Sequence, residues 1–332
     1  MKFVTGGGLR IDYTITPDGK ANIRQPGGNC VYVAVGVRLW DASVGIWARK
    51  GENYKNEWLK TLTEAGIQTA GVVTIPGNHD HRTFFAYTAD GRRDDLNPAA
   101  HFARIKQPLP PELADYVDST PGQDDPDQYE TLGIRPTDWP KAYEGTTAVH
   151  LAGHGLRSQL TIPPMLREKG VQYITIDPGE RYMIPERRDF VRQIVQQADA
   201  FLPSEMEIRS LFGEETGYLE AARVLCAWGA KLVIVKMGAA GVMVVEENGR
   251  YTQLQPYHQP HDPRVIDVTG AGDAFCGGFM VGLTRTQDPI QAAQMGLVTA
   301  SIIVEGYGAL YPLSLPTNAV TQRLHTLQNQ RP

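Results

Sequence analysis

The chain has 332 residues, of which 42% are apolar, and carries a formal net charge of −5. That length allows one large α/β domain or two smaller ones, and the acidic balance argues against general nucleic-acid binding, which leaves a basic footprint. Cys30, Cys226 and Cys276 share no metal-ligand spacing; with no run of about 18 apolar residues and no leader-like apolar start, a reduced, cytoplasmic protein that engages no membrane is expected.

In chain order, residues 2–5 read as a short strand running into Gly6, Gly7 and Gly8. Residues 10–16 alternate, with Ile11, Tyr13 and Ile15 on one face and Asp12, Thr14 and Thr16 on the other, before turn chemistry at Pro17, Asp18 and Gly19. Gln25-Pro26-Gly27-Gly28-Asn29 precedes CVYVAVGVRLW, an apolar run suited to a buried helix. A strand pattern covers 42–48, and a helical one covers 57–65, where Gly66 ends it. A further strand at 83–88 leads into an Asp90-Gly91 turn, so small antiparallel hairpins are expected beside the main sheet. Residues 107–140 are rich in Pro and Asp. They read as a long irregular loop that could border a substrate mouth but is better explained as a solvated insertion.

Strand patterns at 148–151 and 173–176 flank a helix through 164–169. A helix at 190–198, a strand at 200–202, a helix at 219–228 and a strand at 232–235 follow. Such alternation predicts a mostly parallel sheet covered by helices, which binds ligands beyond the carboxyl ends of its strands. His79 and His81, and His150 and His154, have no third ligand at useful spacing, so no zinc site is expected.

Residues 267–273, Asp-Val-Thr-Gly-Ala-Gly-Asp, stand directly ahead of the apolar, small-residue run AFCGGFMVGL. The first N–H groups of a helix lack internal partners and carry the positive end of its dipole, and glycines let an anion approach them. Asp273 would then lie beside the anion, placed to take a proton from a hydroxyl. An Asp in the first helical turn is more commonly a plain cap, and on the residues alone that reading stands ahead. The pattern GxxxxGK[ST] is absent, and GxGxxG fails here because Asp273, Ala274 and Phe275 follow Gly272.

DVTGAGDAFCGGF closely resembles the C-terminal motif of the PfkB/ribokinase family of carbohydrate kinases. The resemblance implies a ribokinase-like three-layer α/β/α sandwich over 1–332, with a mostly parallel central sheet and a small β-sheet lid from about 10–26 and 72–105. It makes Asp273 the catalytic base and Gly270, Ala271 and Gly272 the backbone anion hole. Asp12 sits where the family grips substrate hydroxyls. Gly27, Gly28 and Asn29 match its N-terminal sugar-binding region, although Tyr32 stands where a further Asn is usual. Ser204-Glu205-Met206-Glu207 resembles the family's NxxE motif, with Glu207 toward Mg²⁺ and Ser204 replacing the Asn. Residues 235–241 resemble the nucleotide-side segment, which puts Lys236, Gly238 and Gly241 near ATP together with Ser204 and Thr269. Asp177-Pro178-Gly179-Glu180-Arg181 resembles DPNxR and aims Arg181 at a phosphate or an anionic sugar.

The implied activity is ATP-dependent phosphorylation of a sugar, with Mg²⁺, with K⁺ near residues 267–269 as in many relatives, and with room for a homodimer through the lid. The alternatives are a nucleoside kinase, with Tyr13, Phe84 or Phe85 stacking on a base, and a non-catalytic sugar or nucleotide sensor.

Overall fold

The computed structural model describes residues 1–88, 93–118, 121–316 and 318–329. Its strands are β1 Phe3–Gly6, β2 Arg10–Ile15, β3 Ala21–Gly27, β4 Val44–Gly51, β5 Ile67–Ile75, β6 Arg82–Tyr87, β7 Arg93–Asp94, β8 Ala148–Leu151, β9 Tyr173–Ile176, β10 Ala200–Phe201, β11 Leu232–Lys236, β12 Val242–Glu246 and β13 Tyr251–Leu254. Its helices are α1 Asn29–Arg38, α2 Asn56–Glu64, α3 Pro98–Arg104, α4 Leu156–Glu168, α5 Arg188–Val195, α6 Glu205–Phe212, α7 Tyr218–Trp228, α8 Ala271–Thr286, α9 Pro289–Ile303 and α10 Ala319–Asn329.

Nine strands make one sheet in the order β13-β12-β11-β10-β9-β8-β1-β4-β5. It is parallel from β11 to β5 and antiparallel only at the β11–β12 and β12–β13 pairs. Every residue of β1, β4 and β8 is buried, which is why these strands are mostly apolar without alternation, with Thr5, Arg49, Lys50 and His150 as their buried polar members. One face packs on α4, α5 and α7 through Ile162, Leu166, Val191, Ile194 and Leu225. The other packs on α1, α8 and α9 through Val31, Val35, Met280, Phe279 and Met295. The result is a three-layer α/β/α sandwich. Among the described residues no helix is long and apolar enough to cross a membrane.

The remaining strands form a second sheet, β3-β2-β6-β7. The small antiparallel hairpins expected from the sequence are present as β2–β3 and β6–β7, and a parallel pairing joins them into one sheet. β2 pairs antiparallel with β3, but it also pairs parallel with β6 from Ile11–Arg82 to Ile15–Ala86. A parallel pair needs a crossover, and α1, β4, α2 and β5 of the main domain provide it. The alternation of β2 does separate two faces. Tyr13 and Ile15 pack on Phe84, Phe102 and Leu113, whereas Asp12, Thr14 and Thr16 are buried without joining that cluster. The predicted Asp90-Gly91 turn lies outside the described residues.

Two further expectations change. The helix through 164–169 begins at Leu156, with Pro163 and Pro164 inside it. Prolines normally stop a helix, but the buried stripe of Leu156, Ile162 and Leu166 holds this one against the sheet. Residues 107–140 are no solvated excursion. Leu113 and Ile134 are 1% and 0% exposed, Glu130 is buried, and the Leu156 N–H donates to the Gln123 carbonyl at 2.7 Å.

Candidate active site

The loops after β1, β8, β9, β10 and β11 leave the parallel sheet at its carboxyl edge, where this architecture places ligands. Asn29, the first residue of α1, ties two of them together. Its Oδ1 accepts from the Gly8 N–H and its Nδ2 donates to the Gly153 carbonyl, both at 2.7 Å. The amide read as a sugar contact thus also pins the pocket wall.

Gly27 and Gly28 seat Asp12. A Cβ at Gly27 would fall 1.9 Å from Asp12 Oδ2, so only glycine lets that carboxylate lie against the chain. The Gly28 backbone, at φ 93°, supports Asp12 with a hydrogen bond, and the Tyr32 hydroxyl donates to Oδ2 at 3.2 Å. Burial pushes the Asp12 carboxyl up to about 7, with Asp267 adding to it and Tyr32, Gly28 and Arg10 opposing.

α8 starts at Gly270, whose φ of 72° is left-handed, and among the described residues no side chain caps the helix. A Cβ on Gly270 would meet the Tyr32 ring at 2.1 Å. Tyr32 thus touches both the glycine turn and Asp12. The sequence reading noted it only as a missing Asn. The signal that would have found it is spacing, since Tyr32 lies three residues after Asn29 on the same helical face. Asp273, in the first turn, is half-buried, and burial followed by the charge of Asp177 pushes its carboxyl up to about 7 against the pull of Lys236.

Beyond Asp273 lies a buried charge cluster. Lys236, at the end of β11, is ion-paired with Asp177, which follows β9. Burial works against the lysine charge, but Asp177, Cys276 and Glu207 hold it well above the usual lysine range. Asp177 Oδ1 is buried with no hydrogen-bond partner among the described residues. His150 and Cys276 join Asp177 within 4.8 Å, a grouping that the histidine spacing did not reveal. The Lys236 ammonium already supplies a cation there, and burial and Lys236 lower His150 to about 3, so its ring is neutral.

Ser204 and Glu207 form a capping box on α6. The Ser204 Oγ accepts from the Glu207 N–H at 3.3 Å, and Glu207 Oε2 accepts from the Ser204 N–H at 2.6 Å. Glu207 is raised to about 7 by burial and then Asp177, with Lys236 and Ser204 opposing. Thr269 Oγ1 bonds the Tyr87 hydroxyl at 3.0 Å and so links the small sheet to the α8 turn.

One cavity of about 240 Å³ gathers Asp12, Gly28, Asn29, Thr269, Gly270 and Asp273. Tyr32, Arg10, Phe85, Gln123 and Glu130 also line it. Of the three aromatic residues considered for stacking, Tyr13 and Phe84 lie in the small-sheet core and only Phe85 reaches the cavity. Gly238 and Gly241, in the turn after β11, are not among its lining residues. Arg181 is not among them either. Its side chain is 50% exposed and pairs with Asp118 at 3.3 Å.

A helix start with no side-chain cap among the described residues, a carboxylate in its first turn and a second carboxylate in the same cavity are an arrangement that phosphoryl transfer to an alcohol group can use. Residues 179–317 match the pfkB family of carbohydrate kinases. The chain is 29% identical over 311 residues to a cytidine kinase of Thermococcus kodakarensis, covering 93% of this chain and 98% of that protein. Among solved structures it resembles Arabidopsis thaliana ribokinase complexed with ribose and ATP, at TM-score 0.68 and 17% identity over 97% of this chain and 98% of that one. It also resembles a Burkholderia thailandensis nucleoside kinase in complex with inosine, at TM-score 0.70 and 15% identity over 99% and 100%. At these identities the two structures speak to the fold.

Proposed function

We propose that the protein transfers the γ-phosphoryl group of ATP to a hydroxyl of a sugar ring, with Asp273 as general base. The observation that carries this is one cavity holding Asp273, the uncapped start of α8 and Asp12. Asp12 accepts from hydroxyls of the acceptor and orients the reacting one toward Asp273. Asp273 accepts its proton, a contribution of about 10²–10⁴-fold. The N–H groups of Gly270, Ala271 and Gly272 face the phosphoryl charge. A Cβ on Gly272 would meet nothing nearer than Lys236 Nζ at 3.8 Å, so the chain leaves space there beside a cation, which fits a phosphate chain. The half-buried Glu207 and the Asp177 oxygen that has no hydrogen-bond partner among the described residues are a donor set that suits Mg²⁺, with Glu207 reaching it through water. When bound, Mg²⁺ neutralises charge on the phosphate oxygens. The small sheet acts as a lid that excludes water, and the Tyr87–Thr269 bond marks its seat on the anion hole.

Within this class two observations favour a nucleoside. Phe85 supplies an aromatic wall to the cavity, and the similarity to a cytidine kinase runs over most of the chain.

An ADP-release assay over sugars, sugar phosphates and nucleosides with Mg²⁺ tests the proposal, and no turnover on any of them would overturn it. The pH profile carries a sign. A protonated Asp273 cannot accept a proton, so kcat/KM should fall about tenfold per unit below an apparent value near 7 and level off above it. Gly27→Ala drives a methyl into Asp12. It should raise the acceptor KM by about 10–100-fold, the loss of a charge-assisted hydrogen bond, and leave the ATP KM within about twofold.

A further inference from the structure

We propose that Tyr32 is a positioning residue for both ends of the reaction, its hydroxyl holding Asp12 ready for the acceptor and its ring backing the glycine turn that faces the phosphate. This rests on the kinase reading above and adds to it the side chain that ties the two ends together.

Tyr32 lies in the first turn of α1, where its N–H donates to the Gly28 carbonyl at 3.3 Å, and it is 4% exposed. Two other elements reach it from opposite sides. β2 brings Asp12, whose Oδ2 accepts from the Tyr32 hydroxyl at 3.2 Å. The start of α8 brings Gly270, where a Cβ would fall 2.1, 2.3 and 2.4 Å from Cδ1, Cγ and Cε1 of the ring. The ring therefore lies flush against the Gly270 backbone, on the face a side chain would occupy. Tyr32, Asp12, Gly270 and Asp273 all line the one cavity. A buried tyrosine has an apolar body and one polar tip, so a single stiff side chain can set a carboxylate and a turn at once.

The two bonded groups differ in what pH does to them. Burial, and then the charge of Asp12, raise the Tyr32 phenol well above its ordinary range, so it stays a donor at every working pH. Burial raises Asp12 to about 7; the Tyr32 hydrogen bond is the strongest pull against that rise, ahead of the Gly28 backbone and Arg10, while Asp267 adds to it. Asp273, on α8, feels the charge of Asp12 in turn. Gln25 and Thr83, paired with Asp12 across β3 and β6, do not titrate. An ionised carboxylate offers only acceptors to a hydroxyl, whereas a protonated one has given up part of that capacity. Without the phenol, Asp12 moves higher and stays protonated through neutrality. The acceptor then suffers near pH 7 and recovers at alkaline pH, where Asp12 ionises unaided.

The test compares the full-length wild type with Tyr32→Phe, which loses only the hydroxyl, and Tyr32→Leu, which also loses the ring. Kinetics use cytidine and D-ribose as acceptors with ATP and Mg²⁺. A ¹³C-carboxyl NMR titration, with the Asp12 signal assigned through Asp12→Asn, needs no ligand. In Tyr32→Phe the Asp12 carboxyl should titrate at higher pH than in the wild type. Its acceptor KM should rise about five- to tenfold at pH 7 and return to within about twofold of wild type at pH 9, with kcat and the ATP KM within about twofold throughout. Tyr32→Leu should show the same acceptor defect and also lose about 10–100-fold in kcat, because the turn beside the phosphate is no longer backed. An unmoved Asp12 titration in Tyr32→Phe overturns the inference, and so does a rise in acceptor KM that is equal at pH 7 and 9, which would mean that the hydroxyl binds the acceptor itself. Tyr32→Leu with the kcat of Tyr32→Phe overturns the role of the ring. If no acceptor of the wider panel is turned over, the kinase reading falls, and an upward move of the Asp12 carboxyl in Tyr32→Phe still supports the tie to Tyr32. Should Tyr32→Leu fail to fold, the titration and pH dependence of Tyr32→Phe decide alone.

Discussion

Asp273→Asn should yield a protein that binds ATP, turns over its acceptor about 10²–10⁴-fold more slowly and is more stable than the parent above neutral pH. The amide keeps the shape of the carboxyl and cannot accept the proton. The stability gain follows from the same environment that makes the group a base. Burial and Asp177 raise the Asp273 carboxyl to about 7 in the folded chain, above its ordinary value of 3.8. Its contribution to stability is therefore fully present below the ordinary value and is lost as pH rises through about 7. Asparagine has no charge to bury. At pH 8 the variant should gain on the order of 1–2 kcal/mol, discounted for partial exposure, or about 2–4 °C in Tm, and near pH 4 the two proteins should melt alike. Trading stability for a strained catalytic group is a common pattern. Normal turnover would remove Asp273 from the mechanism. A lower Tm at pH 8 would remove the claim that its ionised form is disfavoured.

The stretch around Asp273 was legible in the sequence because its chemistry is local. The glycines, the turn and the helix start lie within a few residues of each other, and short-range sterics fix them. The parallel sheet was legible for a related reason, since strands covered on both faces are mostly apolar, as β1, β8 and the first five residues of β4 are. What stayed hidden depends on distant pairings. The parallel partnership of β2 and β6 joins Ile11 to Arg82, and no local pattern specifies it. Tyr32 reads as a core aromatic until Gly270 and Asp12 come to it from either side. Glu130 lies in a segment whose composition suggests solvent, and only the fold places it against His154. Ser204-x-x-Glu207 was read through a metal motif, yet the same spacing is a capping box, and the structure shows the cap. Arg181 matched a motif and still points to solvent, because a strand-end arginine follows whichever carboxylate is near.

Lys236→Met should lose both stability and turnover, and adding Asp177→Asn should restore only the first. The two side chains form a buried ion pair, 13% and 9% exposed. Removing one partner strands the other charge, at a cost of about 3–5 kcal/mol, whereas replacing both by uncharged groups of similar size is often close to neutral. Met fills the volume of the lysine stem, and Asn keeps the hydrogen-bonding shape of Asp177. Thermal melts of the two single variants and the double variant form a cycle whose coupling should recover most of the single-variant loss. Additive losses would show that the pair has no net coupling. Activity should not return in the double variant, because Lys236 Nζ stands 3.8 Å from where a Cβ of Gly272 would lie, beside the proposed phosphate site. Losing that positive charge should slow turnover by about 10²–10³-fold. The pH profile then separates two roles of the lysine. Lys236 lowers the carboxyls of both Asp273 and Glu207, and Asp177 raises them. In Lys236→Met the acid limb of kcat/KM should therefore move to higher pH, and in the double variant, with Asp177 also neutral, it should move back while the plateau stays low. A low plateau with an unshifted acid limb in the single variant would mean that Lys236 acts on the phosphates alone and does not tune the base.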